Sequence, residues 1–277
     1  MASQKPIRVI RAHQPFSDWL DRLWQRRETL WFFLWKDLKV QYQRPMLGVL
    51  WSVFQPLIYF AVILGVVHFS GRTSSGITMP FEVFLLCGLA IWNFTTACVQ
   101  GGLNSMQSNA GLISKASFPR IYLVLAPFLK SLFDLAIMLL IVILAAVILR
   151  SEIHPELILA LPVSVLLVAP VSLGLGCMAA SLVVWNRQLR HAIPIVLYAL
   201  IFVLPVFYSM NAVTNRWVQL LYGINPIGGA MDILRSGFGS FQPSGLEILI
   251  WFISSASFLT LGIGIFKRTE QRLADDI

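Results

Sequence analysis

The sequence predicts an all-α integral membrane protein with six transmembrane helices, an N-terminal amphipathic interface helix and two short re-entrant helices on the outer side between spans five and six. Three observations predict it. Of 277 residues, 57% are hydrophobic and only 12% charged, against about 25% charged residues in a soluble domain, and the mean hydropathy is +0.74. Apolar runs of the ~20 residues that cross a bilayer recur and use up most of the chain, leaving room for one membrane domain. Finally, threading the chain with its N-terminus inside puts 17 of the 21 Lys and Arg on the inner side and leaves only Arg72, Arg150, Arg216 and Arg235 outside. By the positive-inside rule both termini are then cytoplasmic.

Residues 1–15 carry Lys5, Arg8 and Arg11 without periodicity and read as a flexible cytoplasmic leader with no cleaved signal peptide. Over 16–44, Phe16, Trp19, Leu20, Leu23, Trp24, Leu30, Trp31, Leu34, Trp35 and Leu38 follow helical spacing. The intervening positions hold Asp18, Asp21, Arg22, Arg26, Arg27, Glu28, Lys36 and Lys39, the layout of a helix lying in the membrane interface with its cations toward anionic headgroups. A helix packed on a soluble partner would share this pattern. The membrane domain, 45–277, opens at Pro45, which breaks the surface helix from the first span. Gly48 and Pro56 permit close packing or a bend there.

Spans are expected at about 50–69, 84–103, 121–149, 157–185, 193–208 and 246–266. In the second, Asn93, Thr95, Thr96, Gln100 and Asn104 call for protein or water rather than lipid. Between spans two and three, 107–120 is too polar to cross and presents Leu112, Ile113 and Phe118 from a short inner helix. Span three contains Lys130 and Asp134, four residues apart on one helical face. An intramembrane pair marks a functional site by default, although mutual neutralisation near the cytoplasmic end or snorkelling of Lys130 accounts for it equally. Span four carries Pro162, Pro170 and the small residues Ser172, Gly174 and Gly176, which let helices approach closely. Residues 209–245 are broken by Asn225-Pro226 and glycines and read as two helices dipping into the outer leaflet, with a charged tail following span six.

Several chemistries are missing. There is no GxxxxGK[ST] phosphate loop and no Gly-Lys pair, so no ATP site is expected in this chain and it is not expected to be an enzyme. No HExxH or CxxC occurs, and Cys87, Cys98 and Cys177 lie in apolar segments as packing residues, so no metal is expected. The net charge of +8 has no basic soluble face to serve, which argues against nucleic acid. Glu82, Glu152 and Glu156 are too isolated to build a membrane glycosyltransferase, and Asp134 alone is a thin basis for an ion-coupled carrier.

The runs KDLKVQYQRPMLGVLWSVFQPLIYF, NAGLISKASFPR, WNRQLRHAIPIVL leading into LPVFYS, and INPIGGAMDILR occur in an order that resembles the membrane subunits of ABC-2-type polysaccharide exporters over about residues 30–240. One departure lies before span five, where Asn186, Arg187 and Arg190 stand without the acid of the family's usual basic-acidic pair. The resemblance implies a homodimer working with two cytoplasmic ABC ATPase subunits, which bind ATP and magnesium, and exporting a lipid-linked polysaccharide across a bacterial inner membrane. Long-chain O-antigen of lipopolysaccharide fits best, with capsule and teichoic acid open. Asn109, Leu112, Ile113, Lys115, Phe118, Pro119 and Arg120 then fall in the ATPase-coupling loop. Trp31, Trp35, Lys36, Asp37, Lys39, Tyr42 and Arg44 fall in an entrance gate, and Asn225, Pro226, Met231 and Arg235 in an outer re-entrant gate. Since sugars bind aromatic faces, Tyr59, Trp92, Phe202 and Tyr208 become channel-lining candidates beside Asn93, Thr96 and Gln100. Aromatics at span ends also serve as interface anchors. The rival readings are an ABC-2 exporter of drugs or small lipids, and an ion-coupled transporter using Lys130 and Asp134.

Overall fold

A computed structural model of the chain describes residues 23–42, 77–113, 118–209, 215–240 and 242–275, with Phe54, Leu57, Ile58, Phe60, Ala61, Val62, Leu64, Gly65 and Phe69 between them. Every regular element among the described residues is helical: α1 (Arg27–Tyr42), α2 (Phe81–Ser108), α3 (Ala110–Ile113), α4 (Tyr122–Ile148), α5 (Leu157–Trp185), α6 (Leu189–Val203), α7 (Arg216–Gly223), α8 (Pro226–Ser236) and α9 (Gly245–Asp275). The nine residues from the expected first span are also helical. The hinge candidates Gly48 and Pro56, and the site candidates Arg44, Tyr59 and Lys115, lie outside the described residues.

Among the described residues, four helices are long and apolar enough to cross a membrane: α2, α4, α5 and the Gly245–Glu270 portion of α9. At about 1.5 Å per residue each exceeds the ~30 Å hydrocarbon thickness. They differ in how much protein covers them. The most apolar stretch of α2 is 78% buried and that of α9 only 17%, so α2 is a core helix and α9 an outer wall. Packed between them, α5 touches α2, α8 and α9, while α4 lies against α2 and carries α1. Lipid tails are as apolar as leucine, so such contacts come from close packing rather than from expulsion of water. Pro127 of α4, for instance, seats on Gly101 of α2, where an added Cβ would lie 2.7 Å from the proline ring. Cys87, Cys98 and Cys177 are all buried and unlinked, as packing residues should be.

Two boundaries differ from the sequence expectation for a visible reason. The helix of span five stops at Val203, because Pro205 follows and cannot continue it, leaving a 15-residue helix shorter than a full crossing. Conversely, the C-terminal tail stays helical through Asp275 instead of ending with span six. There Phe266 and Thr269 are buried and Glu270 is bonded to Arg120, so tertiary contacts carry the helix on.

The two short helices have opposite surroundings. In α8 every residue except Asp232 is buried, whereas α7 buries none, exposing Trp217 and Leu221. Asn225 caps α8, its side chain accepting from the Ile227 amide at 3.0 Å, with Pro226 set in the first turn. After α8 the chain turns at Gly239, whose φ of +81° favours glycine. The Gly239 carbonyl accepts from the Thr78 hydroxyl at 2.8 Å, tying the end of α8 to the start of α2.

Candidate functional site

At the end of the bundle carrying α1, three separate contacts gather around residues 109–120. Lys36 of α1 donates from Nζ to Asn109 Oδ1 at 2.8 Å. Phe33, one turn earlier and 4% exposed, packs its ring 5.3 Å from that of Phe118. The Tyr122 hydroxyl donates to the Leu23 carbonyl. From the other side, the Arg120 amide donates to Glu270 Oε1 at 3.1 Å and its guanidinium to the Glu270 carbonyl. The segment is thus held between the N-terminal helix and the C-terminal one. Within it, Leu112 is exposed while Phe118 and Pro119 are half-buried, so Leu112 is free to meet a partner and Phe118 is turned onto α1.

The faces of α1 also depart from the sequence reading. Trp31 and Trp35 stand edge to face, 6.2 Å apart, on the exposed side with Lys39, which suits a lipid-facing surface. Lys36, read as part of the outward polar face, turns half-buried onto the body instead, together with its neighbour Asp37. Their mutual contact is 3.8 Å, and the Lys130–Asp134 pair of α4, also 3.8 Å, lies nearby. Burial pushes the Asp37 carboxyl above the usual carboxylate range, against the lowering influence of Lys36 and Lys130. A folded-state pKa raised above the unfolded one means that the carboxylate costs stability once the pH has risen through both values, and costs nothing below them. Asp37→Asn is therefore expected to leave the melting temperature at neutral pH unchanged or slightly higher, with the difference vanishing as the pH falls through the usual carboxylate range. A marked destabilisation on thermal melting would contradict this.

Along α2 the half-buried polar residues Asn93, Thr96, Gln100, Asn104 and Gln107 recur at helical spacing and form one stripe. Thr96 donates back to the Asn93 carbonyl and Asn104 to that of Gln100, which secures side chains in an otherwise apolar helix. The base of the stripe receives Arg190, the first-turn cation of α6, which donates from Nε to Asn104 Oδ1 at 3.0 Å and from Nη1 to Gln107 Oε1. The loop before α6 carries no acid of its own, and these α2 amides are the partners of Arg190. Trp92, by contrast, is 5% exposed and belongs to the main core, whereas Phe202 stands exposed on α6. Tyr208 bonds through its hydroxyl to Tyr222 and to the Val203 carbonyl, bridging α6 and α7.

Arg235, counted from sequence among the four outer-side cations and placed in the outer re-entrant gate, is fully buried. Its guanidinium lies 3.5 Å over the Phe84 ring and donates to the carbonyls of Pro205 at 2.8 Å, Val206 at 3.0 Å and Phe84 at 3.3 Å, with Asp232 3.6 Å away. It joins α8, α2 and the break after α6. The sequence held one signal for this: Asp232 and Arg235 sit three apart in an apolar segment, where an isolated charge would be costly. Met231 is likewise fully buried. No group of His, Cys, Asp and Glu suited to a metal occurs among the described residues.

These features define a multi-pass helical membrane protein whose polar contacts cluster at one bundle end and along one internal helix. The chain belongs to the ABC-2 type transporter membrane family, whose model matches residues 28–238. Among its relatives, an O-antigen export system permease protein RfbA of Klebsiella pneumoniae is 24% identical over 87% of this chain and 91% of its own length. The protein of the same name from Myxococcus xanthus is 25% identical over 92% of this chain and 97% of its own length.

Proposed function

We propose that this chain is the membrane-spanning permease subunit of an ATP-driven exporter that moves a lipid-linked polysaccharide, O-antigen in the first instance, from the cytoplasm across a bacterial inner membrane. The observation that carries the reading is the near end-to-end similarity to O-antigen export permeases, within a family whose model spans residues 28–238. In this reading two copies pair, both termini are cytoplasmic, and six spans are completed by the 50–69 region and by α6 with the turn after it. ATP and magnesium are bound by two separate ATPase subunits, which meet the 109–120 segment through exposed Leu112. The stripe of Asn93, Thr96 and Gln100 lines a hydrated path, a reading supported by its half-buried polar residues and by Asn93 Nδ2, which is buried without a protein partner among the described residues. The Lys130–Asp134 pair supports this reading better than ion-coupled transport. Lys130 lies eight residues into α4, about 12 Å along the axis, near Asp37 of α1 rather than among midplane ligands.

The test is reconstitution with the cognate ATPase. The purified chain is expected to hydrolyse no ATP alone, to support hydrolysis in the complex, and to lose export at least about tenfold when the exposed Leu112 is changed to Asp, a penalty of the size expected from burying charge at a docking contact. Proton-driven flux through liposomes containing this chain alone would overturn the reading.

A further inference from the structure

Two cations from different helices converge on the last two turns of α2. Lys36 reaches Asn109 from α1, and Arg190 reaches Asn104 and Gln107 from α6. The acceptors are themselves fixed, since Asn104 and Asn109 each donate their amide nitrogen at 2.9 Å to the backbone one turn back, at Gln100 and Ser105. Each amide oxygen is thereby aimed outward at its cation. A helix C-terminus bears unsatisfied carbonyls and a partial negative charge, which favours cations in its last turn. Asn109 is the cap of α2 and the residue directly before α3, so the group that Lys36 holds is the first of the 109–120 segment.

The two helices depend on these bonds to different degrees. α1 has a second hold through Phe33 and Phe118. α6 buries no residue; Ile193 and Leu197 pack against a small cluster of Val99 and Leu103 of α2 with Ala179 and Val183 of α5, Ile201 lies against the main core, and Arg190 is its polar anchor on α2. We propose that the end of α2 is a yoke in which Lys36 and Arg190 act as positioning residues, carrying displacement of the 109–120 segment to the N-terminal helix on one side and to α6 on the other. The inference rests on reading 109–120 as the ATPase-coupling segment, and it adds that the driven motion is split between two helices at one helix end. The absence of an acid at the loop before α6 follows: a carboxylate there would compete for Arg190 and release α2.

The test uses the reconstituted permease–ATPase complex with Lys36→Met and Arg190→Met. Both variants are expected to assemble and to keep ATP hydrolysis near the parent rate, while glycan export falls about tenfold, within the range that residues along a coupling route produce. Lys36→Arg should restore export. Asn104→Leu, which removes the acceptor instead of the donor, should reproduce the Arg190→Met phenotype, and K36M with N109A should be no worse than K36M alone. Spin labels at the exposed positions 32 and 195 should report a nucleotide-dependent distance change in the parent that is lost in the Met variants, with little background from the three buried native cysteines. Unchanged export and an unchanged distance response in both Met variants would overturn the yoke and leave the coupling reading standing. Loss of assembly or of hydrolysis in all the variants would assign these residues to stability alone, and would also overturn it. A parent complex whose ATPase fails to engage the permease would instead overturn the coupling reading itself.

Discussion

Arg235→Met is expected to destabilise the protein by about 3–5 kcal/mol, the cost of removing one partner from a buried charged pair. The guanidinium meets a specific demand. α6 ends at Val203, so the carbonyls of Pro205 and Val206 lie beyond any helical ladder, and Arg235 supplies their donors from inside the protein. Methionine would fill much of the volume while leaving both carbonyls unmet and Asp232 facing them without its counterion. Lysine should rescue little, because a single ammonium cannot span the Phe84 carbonyl of α2 and those of the break after α6, or stack on the Phe84 ring. Asp232→Asn should cost less than Arg235→Met, since the arginine keeps its three carbonyl acceptors, and the double variant should lose less than the sum of the single ones. Gly88→Ala offers an independent check: a Cβ there would lie 2.7 Å from Arg235 Nη2 and 3.0 Å from the Val206 carbonyl. Thermal melting of the detergent-solubilised protein measures all five. If Arg235→Met melts with the parent, the buried arginine holds nothing that matters.

What the sequence made legible follows from what its periodicity encodes. The span read at 157–185 is found at Leu157–Trp185, because polar and charged residues at 150–156 and 186–190 bound an uninterrupted apolar run on both sides. The N-terminal helix and the tie between 109–120 and the rest of the bundle were visible as an amphipathic pattern and an apolar knob, but not as partners of one another. Periodicity assigns a residue to a helical face without saying what that face meets. Lys36 lies within about 60° of Lys39 on a helical wheel, yet it turns onto Asn109 while Lys39 stays exposed beside the Trp-bearing side of α1. The burial of Arg235 stayed hidden for a related reason. Counting cations by loop treats each as solvated, and only the paired Asp232 in an apolar helix hinted otherwise. Phe202 and Trp92 show the same limit: both are channel-lining candidates from sequence, but Phe202 is exposed near the end of α6 and Trp92 lies midway along α2 in the core.

Gly102→Val is expected to have the larger effect on the bundle as a whole, abolishing most of the folded, monodisperse protein. A Cβ on Gly102 would stand 2.1 Å from the Gly176 carbonyl oxygen, and one on Gly174 2.3 Å from the Phe258 carbonyl oxygen. Both obstacles are backbone, so no side-chain rotation relieves them, and the helices would have to separate. Overpacking of a flexible core costs about 1–3 kcal/mol, and a rigid backbone contact in lipid, where close packing is the main attraction between helices, should exceed that range. Gly264→Ala is the matched control, since the space around Gly264 is open and alanine favours a helix by about 1 kcal/mol over glycine. Size-exclusion profiles and melting curves should therefore move in opposite directions for the two variants, and equal behaviour would mean that α2 and α5 do not meet backbone to backbone. Gly102→Ala probes function at lower cost. Gly102 lies two residues from Gln100, roughly 200° around the helix, so the contact that presses α2 onto α5 also turns the Asn93–Gln107 stripe away from α5. Separating the two helices should displace that stripe together with the Arg190 and Lys36 anchors at its base. Export by the reconstituted complex is then expected to fall more steeply than the melting temperature.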